Sequence, residues 1–323
     1  MEELRVVDRL LGLVGNTPVA RLPGPRGSTI LVKLEYFNPT GSHKDRIALY
    51  MVRDALERGL VKPGDYIVEA SSGNTAVSVA WVARQLGLKP VIVVPRTTSS
   101  VKVGMLYALG ARVVFVDAPN MDVMVEKARE LAEELGGYYL NQFANPANPR
   151  AHYETTAPEL WRQSGGKIDA FVMGVGTGGT ITGVGRFLRE RLGRRVRIVA
   201  VVPRGSPVAG GPGGEAADRI EGLAGDYKKP DNFDPSVVDE IVEVRAEDAE
   251  RMAIEMARRW GILAGPSSGA MMLVALRVAE ELGEGAVVAT IAADSIQRYP
   301  WLLEKASKLN TQDETQNNPK PAV

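Results

Sequence analysis

Short runs rich in β-branched residues recur along the chain and are separated by longer amphipathic stretches. The stretches between the runs carry apolar residues three and four positions apart, as in Ile47, Met51 and Ala55, which is typical of helices packed on a sheet. Each run is apolar nearly throughout, as expected of strands that are covered on both faces in a parallel sheet. The pattern therefore predicts an α/β architecture with two mostly parallel sheets. The runs lie at 30–35, 66–70, 91–95, 112–117, 168–175, 196–203 and 285–291.

The composition narrows the classes of function. Lys plus Arg and Asp plus Glu each total 39, so no net charge would attract nucleic acid or an anionic membrane, and we expect neither as a partner. There is no cysteine, which excludes disulfides, a thiolate nucleophile and a cysteine-based zinc site. The two histidines, His43 and His152, leave little material for a metal centre or a Ser-His-Asp relay, and we expect no metal.

Length and the terminal segments indicate the organisation and location of the protein. A chain of 323 residues has room for about two domains. The acidic start MEELRVVDRL is not a signal peptide, and no apolar run approaches the ~18 residues of a membrane span, so we expect a cytoplasmic protein. Residues 311–323 are polar and without periodicity, and we expect a disordered tail there.

A lysine at a predicted helix start is the first candidate for chemistry. Lys44 follows the turn NPTGSH at 38–43 and begins an amphipathic stretch. The positive end of a helix dipole disfavours an ammonium and lowers the pKa of the lysine, which makes its free amine available for a Schiff base. The alternative, a solvated surface lysine, applies to most lysines and is set aside only because of the neighbouring motifs. For His43 a structural role is favoured over acid–base work.

Two further loops follow predicted strands or turns and open predicted helices. The loop SSGNTA at 71–76 offers hydroxyl, amide and backbone N–H groups to a carboxylate. By itself, an ordinary helix cap by Ser71 or Ser72 is the simpler interpretation of this loop. The loop GPSSGA at 265–270 is equally open to capping by Ser267.

The glycine-rich loop GVGTGGT at 174–180 is typical of an anion site. Small residues let backbone amides close around a phosphate, while Thr177 and Thr180 add hydroxyl donors. Its glycines also fit the G-x-G-x-x-G spacing of a dinucleotide fold, which would indicate a nicotinamide-dependent oxidoreductase. That fold needs an acidic residue at the end of the next strand, whereas this strand ends in VPR at 202–204. An adenine dinucleotide is therefore disfavoured, and Arg204 leaves a 2′-phosphate variant open.

Together these motifs resemble those of the fold-type II pyridoxal-phosphate enzymes. NPTGSHKDR, SSGNTA, QFANPAN with HYETTAPELW, GVGTGGT and GPSSGA occur in the order, and near the spacing, of the cysteine synthase (O-acetylserine sulfhydrylase) and cystathionine β-synthase branch, over about residues 8–305. The resemblance implies pyridoxal 5′-phosphate in a cleft between two tryptophan synthase β-like α/β domains with twisted, mostly parallel sheets, and usually a homodimer. The larger, cofactor-binding domain would comprise 1–37 and 146–310, and the smaller, mobile domain 38–145.

The resemblance also implies a role for each matching residue. Lys44 resembles the lysine that forms the aldimine, and Asn74 resembles the residue that contacts the ring hydroxyl. Ser267 would face the pyridine nitrogen, or Ser268 if the register is shifted by one. The 5′-phosphate cup corresponds to Gly176, Thr177, Gly178, Gly179 and Thr180, and the receptor for the substrate carboxylate to Ser71, Ser72, Thr75 and Gln142.

The activity implied by the resemblance is a β-replacement that forms L-cysteine from an O-activated L-serine and sulfide through an aminoacrylate intermediate. An arginine just after Gly222 and Leu223 would favour O-phosphoserine, because a guanidinium binds a dianion in a bidentate way, but Ala224 stands there. O-acetylserine is therefore favoured. The cations that keep O-phosphoserine open are Lys228, Lys229, Arg96 and Arg204.

Other activities remain open at this point. The nearest alternatives are a cystathionine β-synthase-type condensation of serine with homocysteine and a serine or threonine deaminase. Outside this class, the glycine loop leaves an NADP-dependent oxidoreductase open. His43 stands where the family often has a small apolar residue, and the sequence offers no physical account of it.

Overall fold

The computed structural model describes residues 7–117, 120–225 and 228–317, and within them the chain forms two β-sheets. Neighbouring strands are parallel except for β1 and β2, the first two strands of the larger sheet, which are antiparallel. The larger sheet contains, from edge to edge, β1 (Val19–Pro23), β2 (Thr29–Leu34), β10 (Val287–Ala292), β7 (Ala170–Gly174), β8 (Arg197–Pro203) and β9 (Glu240–Val244). The smaller sheet, parallel throughout, contains β5 (Arg112–Val116), β4 (Lys89–Pro95), β3 (Tyr66–Ala70) and β6 (Tyr138–Tyr139).

Helices cover the faces of both sheets, as the predicted α/β architecture requires. A short π-helical turn at His152–Thr156 joins two of them. The helices are α1 (Lys44–Glu57), α2 (Asn74–Gln85), α3 (Ser100–Ala108), α4 (Met121–Glu134), α5 (Ala147–Ala151), α6 (Ala157–Gln163), α7 (Gly179–Leu192), α8 (Ala246–Trp260), α9 (Pro266–Leu282) and α10 (Pro300–Asn317).

Alternate side chains of the smaller sheet enter two different cores. Ile67 on β3 and Ile92 on β4 pack in one core with apolar residues of α1 and α2. Val68 and Val91, their neighbours in sequence, pack in another core with residues of α4. Because successive strand residues point to opposite faces and both faces are covered, these strands are apolar without alternation, as the sequence indicated.

The predicted domain division coincides with the two sheets but not with every core. The strands of the smaller sheet all lie within 38–145, and those of the larger sheet lie outside that range. Ala147 and Ala151 on α5, just past the predicted boundary, nevertheless pack in the core of the smaller sheet. This short helix contacts both α1 and α7, so apolar packing continues across the boundary. The division into a fixed and a mobile domain stays a prediction.

The C-terminal helix is longer than the sequence analysis predicts. The backbone is helical through Asn317, whereas we expected disorder from residue 311. No proline or glycine interrupts the chain between Pro300 and Pro319, so a helix that has begun at Pro300 can propagate through the polar residues at little cost. Residues 318–323 of the predicted tail lie outside the described residues. Across the described part of the chain, no helix has the length and hydropathy of a membrane span.

Candidate active site

A cavity of about 750 Å³ lies where the carboxyl ends of strands from both sheets meet. The loops after β3 and β4 of the smaller sheet and after β7 and β10 of the larger sheet line it. Ligand sites are expected at such strand ends in open α/β sheets. Eleven of the predicted site residues line the cavity: Lys44, Ser71, Ser72, Asn74, Thr75, Gln142, Gly176, Thr177, Gly178, Thr180 and Ser267. Gly179 alone does not, because it packs against the side chain of Asn148.

A buried ion network fixes the first turn of α1, from which Lys44 projects. The Arg46 guanidinium donates to both carboxylate oxygens of Glu35, at 2.7 and 2.8 Å, and to both of Glu159, at 2.8 Å each. Lys33 adds an ion pair of 2.8 Å to Glu159. Burial would raise the pKa of each carboxyl, but Arg46 overrides this and lowers the pKa of Glu35 and of Glu159 to about 2. The network therefore joins α1 to β2, to the turn after β2 and to α6 through buried ion pairs.

Lys44 carries an amine that is easily deprotonated. Burial of its ammonium lowers the pKa of Lys44 to about 8, although the negative charge of Asp294 acts in the opposite direction. The sequence analysis expected a lowered pKa from the helix dipole, and the structure assigns it first to desolvation. The Lys44 Nζ lies 3.1 Å from Nε2 of His43. An amine in this state can act as a nucleophile and as a base near neutral pH.

The loop after β3 presents an open helix N-terminus to the cavity. Gly73 precedes α2 and no side chain caps that helix, so the predicted cap by Ser71 or Ser72 is not formed. The Ser71 hydroxyl accepts a hydrogen bond from the Gly73 N–H instead, at 3.2 Å. Thr75 donates to Oε1 of Gln142 at 2.6 Å, and Gln142 Nε2 donates to the Ala70 carbonyl at 3.2 Å. The free N–H groups of this first turn can therefore donate hydrogen bonds to an anion, and Gln142 holds the loop in place.

Asn74 is held by residues that the sequence analysis did not identify. Its Nδ2 donates to Asp294 at 2.5 Å, and its Oδ1 accepts from Arg298 at 2.8 Å. Tyr299 also donates to Asp294, at 2.5 Å, and burial raises the pKa of the Asp294 carboxyl. Asp294 follows β10 almost directly, so the expectation that strand ends carry functional residues was the signal that could have found it.

The glycine loop after β7 is a tight cup at the N-terminus of α7. Gly178 has φ +80°, and a Cβ there would lie 2.6 Å from Cα of Phe233. A Cβ on Gly176 would collide with the carbonyl of Gly222, so both positions require glycine. No side chain caps α7, a helix of 14 residues. The uncapped amides and the positive end of the helix dipole suit an anion, and the predicted phosphate site stays a prediction.

Polar side chains orient the two threonine hydroxyls of the cup. Asn148 Nδ2 donates to Thr177 Oγ1 at 2.9 Å and to the Gln142 carbonyl at 2.7 Å. Thr180 Oγ1 lies 3.1 Å from Nε2 of His152. The cup is thus connected through Asn148 and Gln142 to Thr75 in the loop after β3.

The two serines at the start of α9 have different surroundings. Ser267 lines the cavity. Ser268 is nearly inaccessible, and its Oγ accepts a hydrogen bond of 3.0 Å from the Ala293 N–H. The unshifted register is therefore the one that puts a hydroxyl at the cavity.

Part of the segment 204–235, which is rich in glycine and proline, also lines the cavity. Ile220, Ala224 and Phe233 are buried within it, and residues 218–225 face the cavity. Glu221 forms an ion pair with Lys102 on α3, which connects this segment to the smaller sheet. Burial lowers the pKa of Lys102 to about 8. Sequence analysis did not single out Lys102, because a lone lysine is usually solvated.

The geometry fits one class of prosthetic group. A buried amine, a close-fitting anion cup and a hydroxyl at Ser267 surround one cavity, which suits an aldehyde cofactor that carries a phosphate. Among the described residues, no group of three His, Cys, Asp or Glu side chains is placed to hold a metal ion. The fold and site define an α/β enzyme with a cofactor between two sheets.

Comparison with known proteins identifies the family. Residues 10–294 match the family described as pyridoxal-phosphate dependent enzyme, and the chain belongs to it. The family match assigns pyridoxal phosphate rather than a nicotinamide dinucleotide as the cofactor.

Individual relatives match over nearly the whole chain. A cysteine synthase from Staphylococcus aureus is 42% identical over 300 residues, which cover 91% of this chain and 95% of that protein. An O-acetylserine dependent cystathionine β-synthase from Bacillus subtilis is 40% identical over 303 residues, covering 92% and 97%. The crystal structure of an O-ureido-L-serine synthase superposes with a TM-score of 0.86 at 38% identity, covering 93% and 96%. The fold-type II assignment made from the sequence is confirmed.

Proposed function

We propose that this protein is a cysteine synthase that forms L-cysteine from O-acetyl-L-serine and sulfide with pyridoxal phosphate. The observation that carries the proposal is the position of Lys44 in one cavity with the carboxylate loop and the glycine cup. The 42% identity to a cysteine synthase over 91% of the chain supports it. When bound, pyridoxal phosphate acts as an electron sink that acidifies the α-proton of an amino acid and labilises its β-substituent.

Four groups of residues would hold the cofactor. Lys44 Nζ would bind its aldehyde carbon, and the backbone amides and hydroxyls of 176–180 would bind its phosphate. The Ser267 hydroxyl would face the pyridine nitrogen, where a neutral group disfavours a protonated ring. Asn74 would contact the ring hydroxyl. Because Asp294 and Arg298 already fix both polar atoms of its side chain, Asn74 would present a preset orientation to the ring.

The residues of this chain would transfer one proton, the α-proton of the substrate. In its free state, Lys44 Nζ would take the α-proton of the substrate and hold it. A pKa of about 8 suits this task, because a useful fraction of the amine is unprotonated near neutral pH. The Ser71, Ser72 and Thr75 hydroxyls and the first amides of α2 would bind the substrate carboxylate, with Gln142 as the support of Thr75. This binding orients the α-proton toward Nζ.

Closure of the smaller domain, 38–145, would exclude water from the reacting atoms. The carboxylate loop belongs to that domain, so a bound carboxylate would draw it toward the larger sheet. Water that entered would divert the reaction to release of the 2-oxo acid and ammonia. The Lys102–Glu221 ion pair joins the two sides of the cavity and would favour the closed arrangement.

Charges around the cavity support the acetyl ester over the phosphate ester as donor. Arg96 pairs with Asp117, and Arg204 pairs with Asp218. Neither arginine lines the cavity, and the same holds for Lys228 and Lys229. Lys102 does line it, but Glu221 neutralises its charge. Lys44 lines it as well but would be bound to the cofactor, and the other lining cation, Arg219, is exposed. A phosphate dianion would therefore meet little buried positive charge.

A comparison of donors tests the proposal. The rate of L-cysteine formation is measured at fixed sulfide with O-acetylserine, O-phosphoserine and serine, and we expect the largest kcat/KM with O-acetylserine. Lys44→Ala should remove activity with each donor. A larger kcat/KM with O-phosphoserine would overturn the donor assignment, and formation of a 2-oxo acid without any need for a thiol would indicate a deaminase.

The acceptor needs its own comparison because one similar protein is an O-acetylserine dependent cystathionine β-synthase. Sulfide and homocysteine are compared at saturating O-acetylserine. We expect sulfide to give the higher kcat/KM, and a preference for homocysteine would assign the condensing activity instead. A homodimer and a cytoplasmic location remain predictions, which sedimentation of the purified protein and fractionation of the cell would test.

A further inference from the structure

Both histidines of the chain lie between Lys44 and the phosphate cup. His43 Nε2 is 3.1 Å from Lys44 Nζ. The His43 and His152 rings are tilted by 38° with centroids 5.9 Å apart. His152 Nε2 lies 3.1 Å from Thr180 Oγ1, and its Nδ1 lies 2.9 Å from Thr156 Oγ1. Both side chains are buried, and neither is used in the proposed reaction.

Hydrogen bonding fixes which nitrogen of His43 carries the proton. His43 Nδ1 lies 3.4 Å from the carbonyl oxygen of Ala293, which can only accept a hydrogen bond. Nδ1 is therefore the protonated nitrogen of a neutral ring, and Nε2 carries a lone pair. Lys44 Nζ is a donor in both of its charge states, so the Lys44–His43 contact is a hydrogen bond from Nζ to Nε2.

The surroundings keep the His43 ring neutral. Burial lowers the pKa of His43 well below its usual range, and the neighbouring Lys44, His152 and Arg46 lower it further. The hydrogen bond to Ala293 opposes this only in part. Burial likewise lowers the pKa of His152 to about 3. The carboxylate that acts on Lys44 is that of Asp294, in the loop after β10.

We propose that His43 is a positioning residue for Lys44, whose Nε2 accepts a hydrogen bond from Nζ and holds the amine in place whenever Lys44 is not bound to the cofactor. The inference rests on the proposed function, in which the free amine receives the α-proton. In the neutral amine, one N–H directed at His43 Nε2 leaves the lone pair of Nζ free to take the α-proton. After proton transfer, the same Nε2 accepts a hydrogen bond from the Lys44 ammonium and stabilises it. The His152 ring, held by two threonine hydroxyls, supports the His43 ring from behind.

The first test measures the tautomer in the unmodified chain. Nitrogen NMR of the full-length protein stripped of pyridoxal phosphate resolves the imidazole signals of the two histidines, and His43→Gln assigns them. We expect a pyrrole-type Nδ1 and a pyridine-type Nε2 for His43 across pH 6–9, the range in which Lys44 titrates. A proton on Nε2, or a cationic ring, would overturn the proposal, because the acceptor would then be missing.

The second test measures the titration of Lys44 in two variants. His43→Leu fills the space without an acceptor, and His43→Gln retains one. Carbon NMR of the labelled lysine Cε, assigned by its loss in Lys44→Ala, follows the amine. We expect the Lys44 midpoint to fall by about one pH unit in His43→Leu, because an acceptor to a charged donor is lost, and to return toward the wild-type value in His43→Gln.

Lys102 provides an internal control for this titration. Its pKa is also lowered to about 8, but its partners are Glu221 and Asp294 rather than His43. The Lys102 midpoint should stay unchanged in both variants. An unchanged or raised Lys44 midpoint in His43→Leu, or equal midpoints in the Leu and Gln variants, would refute the positioning role. If His43→Leu does not fold, the tautomer measurement and His43→Gln still decide the question.

Kinetics complete the test and separate it from the proposed function. We expect His43→Leu to lower kcat about tenfold with little change in KM for the donor, since proton transfer and not substrate binding depends on the amine's orientation. His43→Gln should recover most of that loss. If the wild-type protein made no cysteine from any donor, the proposed function would fail while both NMR results could still stand. Normal NMR results with equal kcat in all three proteins would refute the catalytic part of the inference.

Discussion

Arg46 and Glu159, which are 113 residues apart in the chain, face each other through two hydrogen bonds of 2.8 Å. The guanidinium is almost fully buried and binds Glu35 with equal closeness on its other side. Because Arg46 lies two residues after Lys44, this contact fixes the helix turn that presents the amine. The position of the Lys44 amine thus depends on charged side chains that do not line the cavity.

Replacing Arg46 should destabilise the whole protein. Arg46→Met leaves two buried carboxylates with Lys33 as the remaining cation that acts on both, and we expect a loss of about 3–5 kcal/mol in the free energy of unfolding. Denaturant unfolding monitored by circular dichroism measures it. Arg129→Met is the matched control, because Arg129 pairs with Glu126 on an exposed helix face, where we expect a change within ~0.5 kcal/mol. Equal losses in the two variants would contradict this account of the network.

Low pH should lower the free energy of unfolding by protonating the carboxylates that pair with Arg46. The folded pKa values of Glu35 and Glu159 are about 2, below the ordinary 4.5. The folded state therefore binds fewer protons than the unfolded state between these values. Their contribution is complete above about pH 4.5 and is lost as the pH falls toward 2.

The variant Glu159→Gln isolates this effect. The slope of unfolding free energy against pH should be shallower in Glu159→Gln than in the wild type over that acidic range, because one proton-linked group is removed. The comparison is made as a difference, since burial raises the pKa of Glu69 to about 8 and gives the opposite dependence at higher pH. Identical slopes below pH 4.5 would show that Glu159 is not held ionised.

The cup should not tolerate a single added methyl group. Gly178 and Gly210 both have left-handed backbone, with φ +80° and +83°, but only Gly178 has neighbours within 4 Å of an added Cβ. Gly210→Ala should lower stability by about 1 kcal/mol and leave pyridoxal phosphate affinity unchanged. Gly178→Ala should weaken the affinity at least tenfold, because either Phe233 or the cup must move. Equilibrium titration of the cofactor by absorbance tests this, and equal affinities would contradict it.

Alanine substitutions at the two serines of α9 should have opposite effects on stability and on the cofactor spectrum. Ser268→Ala leaves the buried Ala293 N–H without its acceptor, so we expect a loss of about 1–3 kcal/mol in unfolding free energy with the cofactor spectrum retained. Ser267→Ala should change the absorption and affinity of bound pyridoxal phosphate while leaving the stability of the cofactor-free protein nearly unchanged. Reversed results would mean that Ser268, not Ser267, faces the ring nitrogen.

The sequence predicted the fold well because both of its signals are local. Uninterrupted apolar runs indicate strands covered on two faces, and the period of the intervening helices agrees with this. The loops at 71–76, 174–180 and 265–270 each meet the cavity because the ends of parallel strands and the starts of the following helices lie together. The tail was misjudged beyond residue 311, since low hydrophobicity does not prevent helix propagation from a packed start.

What the sequence could not provide is the partner of each polar residue. Nothing in NPTGSHKDR says that its arginine faces Glu159, because that pairing depends on how α1 and α6 are placed. Asp294 and Arg298 lie more than 200 residues from Asn74. The lowered pKa of Lys44 was predicted for the wrong main reason, since burial is a property of the folded chain and not of the motif.

The hydrogen-bonded path from Thr75 through Gln142 and Asn148 to Thr177 has a consequence for protein engineering. Gln142 contributes its side chain to the region that would grip the incoming amino acid and its carbonyl to the region that would retain the vitamin. A substitution there would remove the side-chain contacts with Thr75 and Ala70, whereas the carbonyl that accepts from Asn148 belongs to the backbone and is kept by any residue. Libraries that aim to change donor scope without loss of the coenzyme can therefore vary this side chain and the opposite wall at 218–225, and should keep Asn148, whose side chain donates to Thr177.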